Sequence, residues 1–122
     1  MMTKILIVDD DIAITTLLEK ILVYSKFEVV VVNDSTLALE QAQKHTPDLF
    51  ILDLMMPQPN GFEVCRLLRA EEAFVHTPIL IITASDDYNS KGIAYAAGAT
   101  DYITKPIDQD ELPERIHSLL KK

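Results

Sequence analysis

Glycine is scarce in this chain: Gly61, Gly92 and Gly98 are the only three in 122 residues. A nucleotide- or flavin-binding α/β unit needs a Gly- or Ser/Thr-rich loop after its first strand, where backbone N–H groups close on phosphate. No glycine follows the first apolar run, "ILIV", and three aspartates stand there instead. Cysteine is scarcer still. Cys65 alone permits no internal disulfide and fits a reducing compartment. Apolar runs fall far short of the roughly 20 residues a membrane span needs. The run after "MMTK" is too short for a signal-peptide core and ends in acids. A cytoplasmic protein without a membrane partner is expected. Cations are also few, 11 against 19 acidic residues, for a net charge of −8. Binding to DNA or RNA requires a basic face to neutralise phosphates, so no direct nucleic-acid partner is expected.

What the chain does have is a repeating switch of apolar period. Short apolar runs lie at Lys4 to Val8, Glu28 to Val32, Leu49 to Leu52, Ile79 to Ile82 and Asp101 to Thr104. The first four are continuous rather than alternating, as in strands covered on both faces. Helical patterns separate them. Ile14, Leu17, Leu18, Ile21 and Leu22 form a stripe within Ile12 to Ser25. Leu37, Ala38, Leu39 and Ala42 mark a second helix, near Ser35 to Lys44. "NGFE" opens a third, with Asn60 and Glu63 spaced as a capping box and Phe62, Cys65 and Leu68 facing inward. A fourth runs from about Asp87 to Ala97 and closes at Gly98. The fifth fills the carboxyl end, with Ile116, Leu119 and Leu120 inward. Pro113 is best tolerated if Asp110 rather than Asp108 caps that helix, since proline then falls in the first turn. Five strands alternating with five helices predict one α/β domain over residues 1–122, a doubly wound five-stranded parallel sheet with right-handed crossovers.

In such sheets ligands bind beyond the carboxyl ends of the strands. Those ends read Asp9–Asp10–Asp11, Asn33–Asp34, Asp53, Thr83 and Lys105–Pro106. If strands 1 and 3 are neighbours, about 4.8 Å apart, their aspartates converge. Clustered carboxylates must hold protons or bind a cation, and oxygen-only ligands with room for water suit Mg2+. A carboxylate beside Mg2+ and a lysine is a plausible phosphoryl acceptor, because the cations offset charge on the group in transfer. Asp11 directly precedes a helix, where an N-cap is its expected role.

Five pieces in order, "ILIVDDD", "PDLFILDLMMP", "NGFEVCRLLR", "PILIITA" and "AGATDYITKP", cover essentially the whole chain. Together they resemble the receiver domain of bacterial two-component response regulators, the fold of the chemotaxis response regulator. The resemblance implies a flavodoxin-like strand order, 2-1-3-4-5. It implies that Asp53 accepts a phosphoryl group from a histidine kinase or histidine phosphotransfer protein. Asp10 would ligate Mg2+, with Asp9 nearby, Asp53 itself and the backbone carbonyl of Met55 completing the protein ligands. Thr83 and Lys105 would contact the phosphoryl group, Lys105–Pro106 would be cis, and Tyr102 would turn inward as Thr83 moves. Helix 4, strand 5 and helix 5 would face the effector, as a monomer or a phosphorylation-dependent homodimer, and helix 1 would meet the kinase. Met55 and Ser85 resemble positions that tune hydrolysis.

Each of these residues also has a blander reading. Thr83 alone is an ordinary strand-end threonine, Lys105 a solvated lysine and Tyr102 an edge-strand aromatic; the other strand ends promote them. His45, His76 and His117 are scattered and read as surface residues. Tyr88 and Tyr95, seven apart, share a helix face that serves packing or a partner. An aspartyl-phosphate phosphatase would carry a second Asp where Met55 stands. A receiver that only binds partners, working largely without phosphorylation, would have lost an acid, the threonine or the lysine. An enzyme acting on free substrates is not expected.

Overall fold

The computed structural model describes residues 2–85 and 87–121. In the order of the chain the elements are β1 (Lys4–Val8), α1 (Ile12–Tyr24), β2 (Glu28–Val32), α2 (Ala38–His45), β3 (Leu49–Leu52), α3 (Gly61–Arg69), β4 (Ile79–Thr83), α4 (Tyr88–Ala97), β5 (Asp101–Thr104) and α5 (Glu111–Leu120). Short 3-10 turns precede α2 and β4. The strands form one parallel sheet in the order β2-β1-β3-β4-β5, as expected.

Because strand side chains alternate between faces, each continuous apolar run divides between two cores. Leu6, Val8, Phe50, Leu52, Ile79 and Ile81 pack with Ala42, Val64, Leu68 and Ala94 under α2, α3 and α4. Ile5, Ile7, Leu49, Ile51, Leu80 and Ile82 pack with Leu18, Leu22, Leu112 and Ile116 under α1 and α5. β3 and β4 are buried along their whole length, whereas the edge strand β2 exposes Glu28 and half-exposes Val29, Val30 and Val31.

Local chemistry sets the helix ends. Asp11 caps α1, its side chain accepting from Ala13 N at 3.0 Å and Ile14 N at 3.3 Å. Asn60 and Glu63 form the reciprocal capping box of α3. Gly98 ends α4 at φ +113°, a left-handed conformation that favours glycine.

Three details depart from the sequence expectations. In α1, Leu17 is exposed and the polar Thr15 is buried in its place. Phe62 packs against the core as expected but is only partly buried, and Val64 joins Cys65 and Leu68 as a fully covered residue of α3. At α5, Pro113 does fall in the first turn, but the Asp110 backbone is already helical and its side chain caps nothing. The capping oxygen comes from Asp108, whose carboxylate accepts from Asp110 N at 2.8 Å and Glu111 N at 3.2 Å.

Candidate functional site: an acidic cleft at the strand ends

Register explains why residues far apart in sequence meet. Val8 pairs with Leu52, so the residues that follow, Asp9 and Asp53, emerge side by side at the same edge. Asp53 N donates to Val8 O at 3.1 Å and Asp9 N to Val32 O at 3.1 Å, extending both pairings beyond the strands. On the other side Thr83 pairs with Thr104, and Lys105 N donates back to Thr83 O at 2.8 Å.

Asp9, Asp10 and Asp53 each present a carboxylate oxygen, and these atoms lie within 4.8 Å of one another. Asp9 is 2% exposed and Asp53 6%, while Asp10 is exposed. Asp9 is gripped at both oxygens: Oδ1 accepts from Asp11 N at 2.9 Å, and Oδ2 lies 3.3 Å from Lys105 Nζ. Asp53 Oδ1 accepts from Met55 N at 3.3 Å, and its Oδ2 stands 3.6 Å from the same ammonium. Among the described residues, two of the three carboxylates thus share the Lys105 ammonium. Burial pushes the Asp9 carboxyl above the usual range. The Asp11 N–H pulls it back, the Asp53 charge raises it further, and Lys105 opposes both that charge and the burial.

Thr83 ends β4, between the strands whose ends carry Asp53 and Lys105. It is fully buried, and its Oγ1 has no hydrogen-bond partner among the described residues. Buried hydroxyls are ordinarily satisfied, so an orphan one is a donor waiting for an acceptor. Lys105–Pro106 is cis, as is Gln58–Pro59.

A family model, the response regulator receiver domain, matches residues 5–117. The chain belongs to this family. It is 42% identical over 121 residues to the response regulator ArlR of Staphylococcus saprophyticus, covering 99% of this chain and 54% of that protein. It is 40% identical over 119 residues to PhoP, the alkaline phosphatase synthesis transcriptional regulatory protein of Bacillus subtilis, covering 98% of this chain and 49% of that protein. The chain therefore spans about half the length of these relatives. Among solved structures, the chemotaxis protein CheY4 of Vibrio cholerae superposes with a TM-score of 0.93 at 33% identity, over 98% of this chain and 99% of that one. The receiver domain of the Pseudomonas aeruginosa sensor histidine kinase PA1611, described with a magnesium ion coordinated in its active-site cleft, superposes at 0.92 with 26% identity over all of both chains.

In this receiver domain Tyr102 lies inward, 8% exposed, and its hydroxyl donates to Ser85 O at 2.5 Å. Lys91 Nζ stands 5.6 Å above its ring centre, within cation–π range. Tyr88 and Tyr95 are both exposed on α4. Met55, two residues past Asp53, is 67% exposed and lies outside the core. The histidines stand apart from the cleft: His45 ends α2, His76 is in an exposed segment before β4, and His117 lies on α5 against Phe27.

Several supporting residues escaped the reading of the sequence. Gly61 is one. A Cβ there would lie 2.2 Å from Asp53 O and 2.7 Å from Leu54 Cα, so only glycine lets α3 start against the backbone of Asp53. Arg69 is another: it donates to Gly98 O at 2.9 Å and to Phe74 O and Thr77 O at 2.7 and 2.6 Å, tying α3 to the end of α4. Nothing in the spacing of a lone glycine or arginine announces such contacts.

Proposed function

We propose that residues 1–122 form one receiver domain that works as a phosphorylation-controlled switch, with Asp53 as the phosphoacceptor. The observation that carries this reading is the meeting of Asp9, Asp10, Asp53, Thr83 and Lys105, from four different strand ends, at one edge of the sheet. The donor would be the phosphohistidine of a histidine kinase or histidine phosphotransfer protein. An Asp53 oxygen attacks phosphorus in line, the P–N bond breaks as the O–P bond forms, and the imidazole leaves with the bonding pair.

Mg2+ fits the site: the donors are hard oxygens, and one ammonium leaves the carboxylates under-compensated. Asp9, Asp10, Asp53 and the Met55 carbonyl would hold it, and when bound it supplies positive charge that offsets the charge of the phosphoryl group. Lys105 would pair with one phosphoryl oxygen, and the orphan Thr83 hydroxyl would donate to another. The domain would thereby promote its own phosphorylation and dephosphorylation without acting on other substrates.

The output follows from movement of Thr83 with its loop, coupled through the Ser85 carbonyl to Tyr102. The readout face would be α4, β5 and α5, toward an effector domain or a second copy, and α1 would dock the kinase. Inverting a 1:99 population would require phosphorylation to favour the active state by about 5.5 kcal/mol. A cytoplasmic setting suits this role; no helix among the described residues is long and apolar enough to cross a membrane. A second reading, partner binding largely without phosphorylation, draws on Tyr102 already lying inward.

Incubation with Mg2+ and acetyl phosphate, followed by mass spectrometry, tests the proposal. One base-labile phosphoryl adduct at Asp53, absent in Asp53→Asn and without added Mg2+, is expected. No adduct, or one indifferent to Asp53→Asn, overturns it in favour of the second reading.

A further inference from the structure

The turn that carries Asp10 is held from outside the acidic cluster. Asn33, just past β2, donates through Nδ2 to Asp9 O at 2.9 Å and to Thr15 Oγ1 at 3.0 Å. Thr15 is 2% exposed in α1, and its own hydroxyl proton goes to Ile12 O at 3.1 Å. The Thr15 oxygen therefore faces Asn33 as an acceptor. Two amide hydrogens meet two acceptors, a pairing that a carboxylate at position 33 cannot make.

The Asp9 carbonyl belongs to the planar peptide that also carries the Asp10 N–H. Rotating that plane would swing Asp10 away from Asp9 and Asp53. With Asp9 N bonded to Val32 O and Asp9 O bonded to Asn33, the peptides on both sides of Asp9 are fixed to the end of β2. Asn33 is not needed for the turn that follows it. Asp34 caps that turn, accepting from Thr36 N at 3.0 Å and Thr36 Oγ1 at 2.7 Å. We infer that Asn33, braced by Thr15, is a positioning residue for the divalent cation: it holds the Asp9–Asp10 peptide so that the exposed Asp10 carboxylate stands beside the two buried ones. This rests on the cation-binding reading of the cleft.

Calorimetric titration of the unphosphorylated protein with Mg2+ tests it, with Asp10→Ala as the control that loses a ligand. Outer partners of metal ligands typically change affinity by about 10–100-fold, and Asn33→Ala is expected near the lower end, about tenfold weaker. Thr15→Val should weaken binding by less, and Thr15→Ser, which keeps the hydroxyl, should restore it. With acetyl phosphate as donor, Asn33→Ala should raise the half-saturating Mg2+ concentration by the same factor. Its rate at saturating Mg2+ should stay within about twofold of the parent. A folded Asn33→Ala with unchanged Mg2+ affinity overturns the inference alone. So does a fall in the saturated rate without a shift in half-saturation, the mark of general damage. If Asn33→Ala does not fold, equal affinities for Thr15→Val and Thr15→Ser overturn it. No Mg2+ binding by the parent protein overturns the cation reading and this inference together.

Discussion

Lys105 Nζ is shared between Asp9 Oδ2 at 3.3 Å and Asp53 Oδ2 at 3.6 Å, joining the ends of β1, β3 and β5 through one ammonium. Burial, and after it the neighbouring Asp53 charge, hold the Asp9 carboxyl above its ordinary range despite this ammonium. Its folded pKa lies above its unfolded one, so the folded state takes up the proton first as pH falls. The ionised group therefore costs stability above the folded pKa, and the cost is relieved as pH drops toward the unfolded value. Asp9→Asn is expected to raise the midpoint of thermal unfolding by a few degrees at pH 7 in divalent-free buffer. That gain should shrink as the pH approaches about 4, near the unperturbed carboxylate range. Melting curves at the two pH values measure it; a gain independent of pH would contradict the assignment.

Thr83 carries the opposite kind of cost. Its hydroxyl is fully buried and unpartnered among the described residues. Valine occupies similar space without the polar atom, so Thr83→Val should stabilise the unphosphorylated protein by about 1 kcal/mol in urea denaturation. The same change should uncouple phosphorylation from the Tyr102 environment, followed by ring resonances in NMR before and after acetyl phosphate. A destabilised variant would show that the hydroxyl already has a partner.

Asp10 and Asp11 are neighbours with different work. Asp11 accepts from Ala13 N and Ile14 N at the start of α1. Asp11→Ala should cost about 1 kcal/mol of folding stability and leave the phosphorylation rate largely intact. Asp10→Ala should do the reverse, abolishing Mg2+-dependent phosphorylation with little loss of stability. Urea titrations paired with phosphorylation time courses separate the two, and similar profiles for both variants would refute the division.

Met55 concerns lifetime. The residue is exposed two positions past Asp53, and a thioether cannot orient an attacking water by hydrogen bonding. An amide can. Met55→Asn is therefore expected to shorten the phosphoryl lifetime several-fold, followed as loss of the adduct after the donor is removed. An unchanged lifetime would reject a role for this side chain in hydrolysis.

Much of this was legible in the chain because the signals are local. Continuous apolar runs of four or five residues marked the strands, and the helix ends declared themselves in Asp11, Asn60–Glu63 and Gly98. Sequence pattern and structure part where a helix meets the rest of the molecule. Leu17 and Thr15 exchange their expected environments because the line of contact with the sheet, not hydrophobicity, decides which side of α1 is covered. Asp108 displaced Asp110 as the cap because the backbone at Asp110 had already turned helical. Gly61 and Arg69 carried no local signature, and Asn33 was legible only as a strand-end residue, since each acts on a backbone group distant in sequence.

The sequence by itself determined the alternation of strands and helices, the family, and the identity of the residues at the strand ends, because period, capping and motif spacing are properties of neighbouring positions. Only the tertiary structure decided that Val8 lies opposite Leu52 and Thr83 opposite Thr104, and hence that Asp9, Asp53 and Lys105 meet within ion-pair distance. Register is set by packing both faces of the sheet at once, and a one-residue slip would send those side chains to opposite faces. Burial then did what composition cannot: it left the Thr83 hydroxyl without a partner among the described residues and pushed the Asp9 carboxyl upward.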